Sequence, residues 1–196
     1  MHAAGFVLVG GKSTRMGTDK ARLFMGSQLL VEEIAGKVMA AAGNVALVGA
    51  PEKYRDLPFD HLPDARPGLG PISGVESALA SGRAELNLVA GCDMPHLHTG
   101  WLQALIDKAF SAKACCVAIH DASGRVHPLC AVYHSSALPV VRAALDAGRL
   151  RMMDLLSELK AELLEIDGVI ANVNRPEEWA TFATEAASSL RGKESD

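Results

Sequence analysis

The apolar run Phe6-Val7-Leu8-Val9 stops at Gly10-Gly11, and the loop that follows carries Arg15 and Lys20. A short apolar run bounded by glycine reads as a buried strand. A glycine pair at its end lets the backbone come close to a ligand, because no Cβ intervenes. Backbone N–H groups in such a turn can point at phosphate oxygens. Arg15 can grip phosphate through two parallel hydrogen bonds, and Lys20 can act as a point charge. Strand, glycine loop and cations together describe a site for a nucleoside triphosphate. The plainer alternative is a tight turn with exposed charges.

Two familiar phosphate motifs do not fit. Gly11-Lys12-Ser13 has the look of the end of a P-loop, but that motif needs a glycine where Phe6 stands. The dinucleotide fingerprint fails as well. Gly68-Leu69-Gly70 is followed by Gly74, one residue late, and no strand is expected directly before it.

The rest of the chain alternates apolar runs with helical periodicity. Leu29–Ala42 reads as a helix, with Leu30, Ile34, Val38 and Ala41 recurring at helical steps and Gly43 as its stop. Val45–Val48 is a strand, and the proline-rich stretch 51–70 forms loops around a short strand near Asp60–Leu62. Ser73–Ser81 is helical, and Asn87–Gly91 is a buried strand ending at Cys92-Asp93. Thr99 is expected to cap a helix whose apolar face is Leu102, Leu105, Ile106, Ala109 and Phe110. Strands are expected at Cys115–Ile119 and Pro128–Tyr133, helices near Ala137–Ala147 and Met153–Leu159, and a short strand near Leu163–Ile166. A last helix should begin at Pro176, with Glu177 and Glu178 matching its dipole.

This alternation predicts an α/β fold: a mostly parallel sheet covered by helices on both faces, three layers in all. A chain of 196 residues fits one domain, taken as 1–188, with a polar tail at 189–196. In such sheets ligands bind beyond the carboxyl ends of strands, near a switch in strand order. The glycine loop and Asp93 both follow strands, so both should reach that edge.

Asp93 at a strand end, facing a triphosphate, is placed as a magnesium ligand would be. The alternative is an Asp that starts the turn before Met94-Pro95. Pro67-Gly68-Leu69-Gly70-Pro71-Ile72-Ser73-Gly74 leads into a helix, and its backbone and Ser73 could read a nucleobase. It could equally be an ordinary connection. Asp64, just upstream, could accept from a base or ribose, or simply start a turn.

Composition excludes several other roles. A net charge of −4 with no basic run offers no stripe for nucleic acid. No apolar run approaches the length of a membrane span, and no leader pattern opens the chain, so a cytoplasmic location is expected. Cys92, Cys115, Cys116 and Cys130 form no C-x-x-C pair and read as free buried thiols in a reducing compartment. His96-x-His98 could place two imidazoles on one strand face, but reads better as loop histidines than as a zinc site.

Several segments occur together in one order: the loop from Gly10 to Lys20, Gly70-Pro71-Ile72-Ser73-Gly74, Cys92-Asp93-Met94-Pro95, the run His127–Tyr133, and Asn172-Val173-Asn174-Arg175-Pro176-Glu177-Glu178. With them the chain resembles the molybdenum cofactor guanylyltransferases over about Phe6 to Trp179. These belong to the Rossmann-like nucleotidyltransferases with a glycosyltransferase-A-like sheet. The glycine loop alone resembles only the larger group; the other elements narrow it.

The resemblance implies transfer of GMP from GTP to molybdenum-bearing molybdopterin, with release of pyrophosphate. It implies that Leu8, Val9 and Gly10 contact the nucleotide, with Gly11 beside them. Lys20 would bind its phosphates, Asp64 the guanosine, and Asp93 would hold Mg2+. Gly70, Pro71 and Gly74 would complete the nucleotide site, and Asn172 and Asn174 would shape the pterin side. Arg15, Lys20 and Asp93 would carry the catalysis. Molybdoenzyme-specific chaperones or molybdopterin-transfer proteins are the implied protein partners. Departures from the family pattern are Val9 for the usual alanine, Ile72-Ser73 for Leu-Ala, and Val48 near a position that is Asn in some relatives. Two alternatives stay open: a molybdopterin cytidylyltransferase using CTP, and a non-catalytic protein that binds and delivers the cofactor.

Overall fold

In a computed structural model describing residues 2–10 and 19–172, the first apolar run is β1 (Ala3–Leu8). A small hairpin of β2 (Phe24–Met25) and β3 (Gln28–Leu29) leads into α1 (Leu30–Ala42). Then come β4 (Ala46–Gly49), β5 (Asp60–Pro63), α2 (Pro71–Ala80), β6 (Leu86–Gly91) and α3 (Thr99–Ser111). The described chain finishes with β7 (Cys116–His120), β8 (Val126–His134), α4 (Leu138–Asp146), α5 (Met152–Glu158) and β9 (Glu162–Glu165). Gly11, Arg15, Asn174, the helix expected at Pro176 and the polar tail lie outside the described residues.

One seven-stranded sheet runs in the order β5-β4-β1-β6-β8-β7-β9. β1 pairs in parallel with β4 on one edge and with β6 on the other. Among the described strands of this sheet, β8 alone runs against its neighbours, antiparallel to both β6 and β7. Its reversal has a local cause. A short connection cannot cross over to a parallel strand, so a tight turn between β7 and β8 enforces a hairpin. Asp121 builds that turn by accepting from the Ser123 and Arg125 N–H groups, and Gly124 takes φ +81° within it.

Strand alternation sends side chains to two separate cores. Val7, Leu47, Leu88 and Ala90 meet α1 and α3 through Leu30, Ile34, Val38, Leu102 and Leu105. Phe6, Val48 and Val89 meet α2, α4 and α5 through Ile72, Val75, Val141 and Leu155. The result is the three-layer α/β/α arrangement expected from the alternation. The chain leaves β1 through α1 toward β4, whereas it leaves β6 through α3 toward the other half of the sheet. The carboxyl ends of β1 and β6 are therefore the switch point at which such sheets open a crevice.

Several boundaries differ from the sequence expectation. α1 begins at Leu30, where the Glu32 carboxylate accepts from the Leu29 N–H at 2.9 Å, and Gly43 closes it with φ 77°. α2 begins at Pro71, not Ser73, because Gly70 at φ 81° turns the chain directly into Pro71 at the first helical position. Thr99 is not the cap of α3 but its first residue; His98 precedes it, with its ring edge-on to Trp101 at 4.5 Å. A ring contact, not a hydroxyl, holds that end. His96 lies in a turn and His98 directly before α3, neither on a strand face. A 3-10 turn over Ser135–Ala137 delays α4 to Leu138. The thiols are free; Cys116 and Cys130 are buried, and Cys92 and Cys115 are only partly so. Among the described residues, no helix is long and apolar enough to cross a membrane.

β1 lies tightly under the end of α1. Asn44 accepts from the Gly5 N–H at 3.1 Å and donates to the Ala3 carbonyl at 2.9 Å. A Cβ on Gly5 would stand 2.5 Å from the Asn44 carbonyl oxygen and 2.5 Å from Val38 Cγ1. Backbone cannot move aside as a flexible side chain can. Gly5→Ala should therefore cost about 1–3 kcal/mol by overpacking, read as a lower denaturation midpoint with an unchanged slope.

Candidate active site

A cleft of about 560 Å³ opens at the carboxyl ends of β1, β4 and β6. Leu8, Val9 and Gly10 enter it from β1, Val48 and Gly49 from β4, and Gly91, Cys92 and Asp93 from β6. The expected Asp64, Gly70, Pro71 and Gly74 form another wall, and Lys20 faces the same space. Asp19, Gly68 and Leu129 join them. Of the expected site residues, Gly11, Arg15 and Asn174 fall outside the described residues, and Asn172 reaches the cleft through Asp93.

The cleft exists because side chains are missing where strands and helix converge. The Val9 N–H donates to the Val48 carbonyl at 2.8 Å, so pairing continues past the formal end of β1. Gly49 beside it has φ +154°, and a Cβ there would lie 2.1 Å from the Val9 carbonyl oxygen. Gly74 brings the first turn of α2 onto Leu8, where a Cβ would meet Leu8 Cδ2 at 3.0 Å. The N-terminus of α2 thus borders the cleft, and the exposed N–H groups of a helix start favour anions and acceptors.

Asp64 is fixed before any ligand arrives. Its Oδ1 accepts from the Arg66 N–H at 3.0 Å and from the Ser73 hydroxyl. Arg66 reaches on to the buried Glu76 at 2.9 Å, and Arg142 reaches the same carboxylate at 3.1 Å. A network from α2 to α4 therefore holds the loop that carries Asp64.

Lys20 stands in a 3-10 turn, half-buried, not on a freely exposed loop. Its neighbour Asp19 caps the turn by accepting from the Ala21 N–H at 3.1 Å. The other oxygen of Asp19 accepts from the hydroxyl of fully buried Tyr54 at 2.7 Å. Burial, then the hydrogen bond and charge of Asp19, push the Tyr54 hydroxyl far above its ordinary pKa, so it donates. Arg22 stacks 5.6 Å over the Tyr54 ring and pairs with Asp56. Sequence reasoning missed Asp19. The signal was available: a carboxylate immediately before Lys20 can cap and orient its turn.

Asp93 sits where β6 ends, and Gly91 makes room for it, since a Cβ at Gly91 would lie 2.9 Å from Asp93 Oδ1. Lys37 on α1 donates to the Pro95 carbonyl at 3.1 Å and steadies the turn that follows. Burial raises the Asp93 pKa above its ordinary value. Lys20, backbone donors, the Asn172 amide and His127 pull the other way without cancelling it. The Asn172 Nδ2 donates to Asp93 Oδ2 at 3.3 Å, and the buried Oδ1 of that amide has no hydrogen-bond partner among the described residues. A desolvated carboxylate and an unpaired amide oxygen from adjoining side chains are hard oxygen donors of the kind Mg2+ or Mn2+ takes. Burial leaves the Cys92 thiol, which also borders the cleft, protonated, with its pKa pushed up to about 12.

Residues 5–184 match the MobA-like NTP transferase domain. The chain belongs to that family. It is a nucleotidyltransferase. It is 30% identical over 177 residues to a probable molybdenum cofactor guanylyltransferase of Flavobacterium johnsoniae, covering 88% of this chain and 92% of the relative. Its fold matches the molybdopterin-guanine dinucleotide biosynthesis protein A of Archaeoglobus fulgidus with a TM-score of 0.81 at 21% identity, over 94% and 99% of the two chains. A Mycobacterium tuberculosis protein crystallised with manganese shares the fold at a TM-score of 0.67 and 18% identity, over 94% and 99%.

The buried Asp93 carboxylate makes a stability prediction with a definite sign. A carboxyl whose pKa is raised in the folded state costs stability as the pH rises from its ordinary value through the raised one, and the full cost remains above it, because only the folded protein keeps the charged form from water. Asp93→Asn should therefore raise the melting temperature at neutral pH without divalent ions. Added Mn2+ should stabilise the wild type and leave the variant unmoved. Calorimetry of both proteins with and without Mn2+ checks it, and a lower melting point for the variant in the absence of Mn2+ contradicts it.

Proposed function

We propose that this nucleotidyltransferase transfers GMP from GTP to molybdenum-bearing molybdopterin, forming the guanine dinucleotide form of the cofactor and releasing pyrophosphate. The observation that carries the reading is the meeting in one cleft of the β1 end, Lys20, Asp93 and the Gly70–Gly74 start of α2. The Flavobacterium johnsoniae relative, a probable molybdenum cofactor guanylyltransferase matched over 92% of its length, supports the reading.

The chemistry asks little of a general base. A terminal phosphate oxygen of molybdopterin attacks the α-phosphorus of GTP, the bond to the β-phosphate oxygen breaks, and pyrophosphate leaves. The attacking group is already an anion, so the obstacle is bringing negative charges together in line. Lys20 and Arg15 would offset charge on the transferring and leaving phosphates. Asp93, with Asn172 beside it, would hold Mg2+, which when bound supplies the remaining neutralisation at the phosphates. Asp64, already oriented by Ser73 and Arg66, would accept from the guanosine. Backbone groups of Leu8–Gly11 and Gly70–Gly74 would meet the purine edge without bulky side chains in the way. Asn172 and Asn174 would border the pterin side. A cytoplasmic setting and handover to molybdoenzyme-specific chaperones or molybdopterin-transfer proteins complete the reading.

Two measurements test it. Lys20→Ala should lower turnover by about tenfold or more through the loss of one charged phosphate contact, with little change in melting temperature. A large fall in melting temperature with normal turnover would make Lys20 structural. Equal GTP and CTP in competition, with molybdenum-loaded molybdopterin and Mg2+, should give at least roughly tenfold preference for GTP, about 1.4 kcal/mol. Cytosine would leave buried groups of a guanine site unpaired, which is costly. Equal consumption would favour the cytidylyltransferase, and no product with either nucleotide would favour a delivery protein.

A further inference from the structure

The run His127–Tyr133 opens with a histidine that the proposed chemistry does not use. Both His127 and Asp121 are buried, with the His127 Nε2 2.7 Å from Asp121 Oδ2. The two oxygens of Asp121 do different work. Oδ1 accepts from the Ser123 N–H at 2.9 Å, the Ser123 hydroxyl at 2.6 Å and the Arg125 N–H at 3.1 Å. Those bonds complete the β7–β8 turn. Oδ2 serves nothing in the turn. Besides His127 it accepts from the N–H of Ile170, 49 residues further on, at 3.1 Å.

Ile170 belongs to the segment that leaves β9 and returns along the β7–β8 turn. The Ile166 N–H donates to the His120 carbonyl at 3.0 Å, and the Ala122 N–H donates to the Gly168 carbonyl at 3.0 Å. Gly168 lies flat on Trp101, where a Cβ would stand 2.3 Å from the ring. The Ile170 side chain is buried in the core shared with α1 and α3. Two residues later Asn172 donates to Asp93.

We propose that the buried Asp121–His127 pair is a positioning device: through Oδ2 it fixes the backbone at Ile170 and so delivers the Asn172 amide to Asp93. This rests on the reading of Asp93 as the carboxylate beside the reacting phosphate. Neither Asp121 nor His127 touches substrate in this arrangement. Their effect passes through a backbone hydrogen bond to an amide and from there to a carboxylate. His127 holds Oδ2 in place, while the three Oδ1 donors keep the carboxylate from rotating. Burial alone would raise the Asp121 pKa, but the Ser123 hydroxyl, His127 and the Ile170 and Arg125 N–H groups hold it well below the ordinary range. The acceptor for Ile170 is therefore an anion, and a hydrogen bond to an anion is stronger than one to a neutral oxygen.

Asp121→Asn tests this with almost no change in volume. The new amide oxygen can keep the turn bonds, while its nitrogen takes the place of Oδ2. That nitrogen can face His127 but cannot accept from Ile170. In the wild type without ligands, the Ile170 amide should exchange hydrogen at least about a hundredfold slower than in an unstructured peptide. Asp121→Asn should speed that exchange at least about tenfold. It should also lower kcat about tenfold with KM for GTP within about threefold. In an Asn172→Ala background the same change should lower kcat by less than about twofold, because the two act along one path. Ser123→Ala, which removes only an Oδ1 bond, should leave Ile170 exchange and kcat within about twofold of wild type. An unprotected Ile170 amide in the wild type would overturn the proposal, and that measurement needs no variant to fold. So would multiplicative losses in the double variant, or a Ser123→Ala defect as large as that of Asp121→Asn. Asp93→Asn, assayed in parallel, reports on the site reading alone. Normal turnover by it would overturn that reading but not the positioning of Ile170, which the exchange rates decide.

Discussion

Parallel pairing of β1 on both of its edges is the constraint from which the rest follows. Leu8 is in register with Val48 of β4 and with Gly91 of β6. Three strand ends are therefore brought level at one edge of the sheet. The connections from β1 and β6 then run to opposite halves of the sheet, which opens a crevice between their ends. A strand paired on one edge only could slip by a residue and send its side chains to the wrong faces. With two registers and two different cores, such a slip would expose Val7 or Phe6 and lose both ladders.

The site is shaped at that edge by what glycine leaves out and by what burial does to charge. Gly49, Gly74 and Gly91 each stand where a Cβ would meet backbone or a neighbouring side chain. They let β4, α2 and Asp93 close around the end of β1. The enclosed position removes water from Asp93, and its carboxyl responds by holding its proton more tightly. Such a group is poorly satisfied until a cation joins it. Lys20 supplies part of that compensation, and the Asn172 oxygen, without a partner among the described residues, lies on the amide that already touches the carboxylate.

The sequence carried this design unevenly. Periodicity located the main strands and the helices, because each buries one face of named apolar residues, and the glycine loop and Asp93 pointed to the right edge. β2 and β3 were not legible, being two residues each around Gly26-Ser27 with little apolar alternation. The reversal of β8 was hidden because the direction of a buried strand leaves no mark in its own composition. The mark lay in the turn, in Asp121, Ser123 and Gly124. Asp19 and Tyr54 could not be paired by reading along the chain, since 35 residues separate them. The bond between Asp121 and Ile170 spans still more chain. Long-range polar contacts have no periodicity, and only the fold reveals which carboxylate meets which donor.

These contacts also explain how a site made largely of loops can be held in one arrangement. Loops have few apolar contacts, so their order must come from directed bonds. Among the described residues, Asp19 and Asp121 each tie a loop by using their two oxygens for separate tasks, and Asp64 ties another through one oxygen with two donors. Asp19 caps its own turn with one oxygen and receives Tyr54 with the other. Asp121 builds a turn with one and holds the returning chain with the other. Asp64 gathers the Arg66 N–H and the Ser73 hydroxyl, joining its loop to α2. A buried anion is costly unless its bonds are complete, so a loop that drifts forfeits more than one contact. The penalty for disorder is thereby concentrated around the cleft, and a protein of net charge −4 still holds Lys20 at the cleft wall.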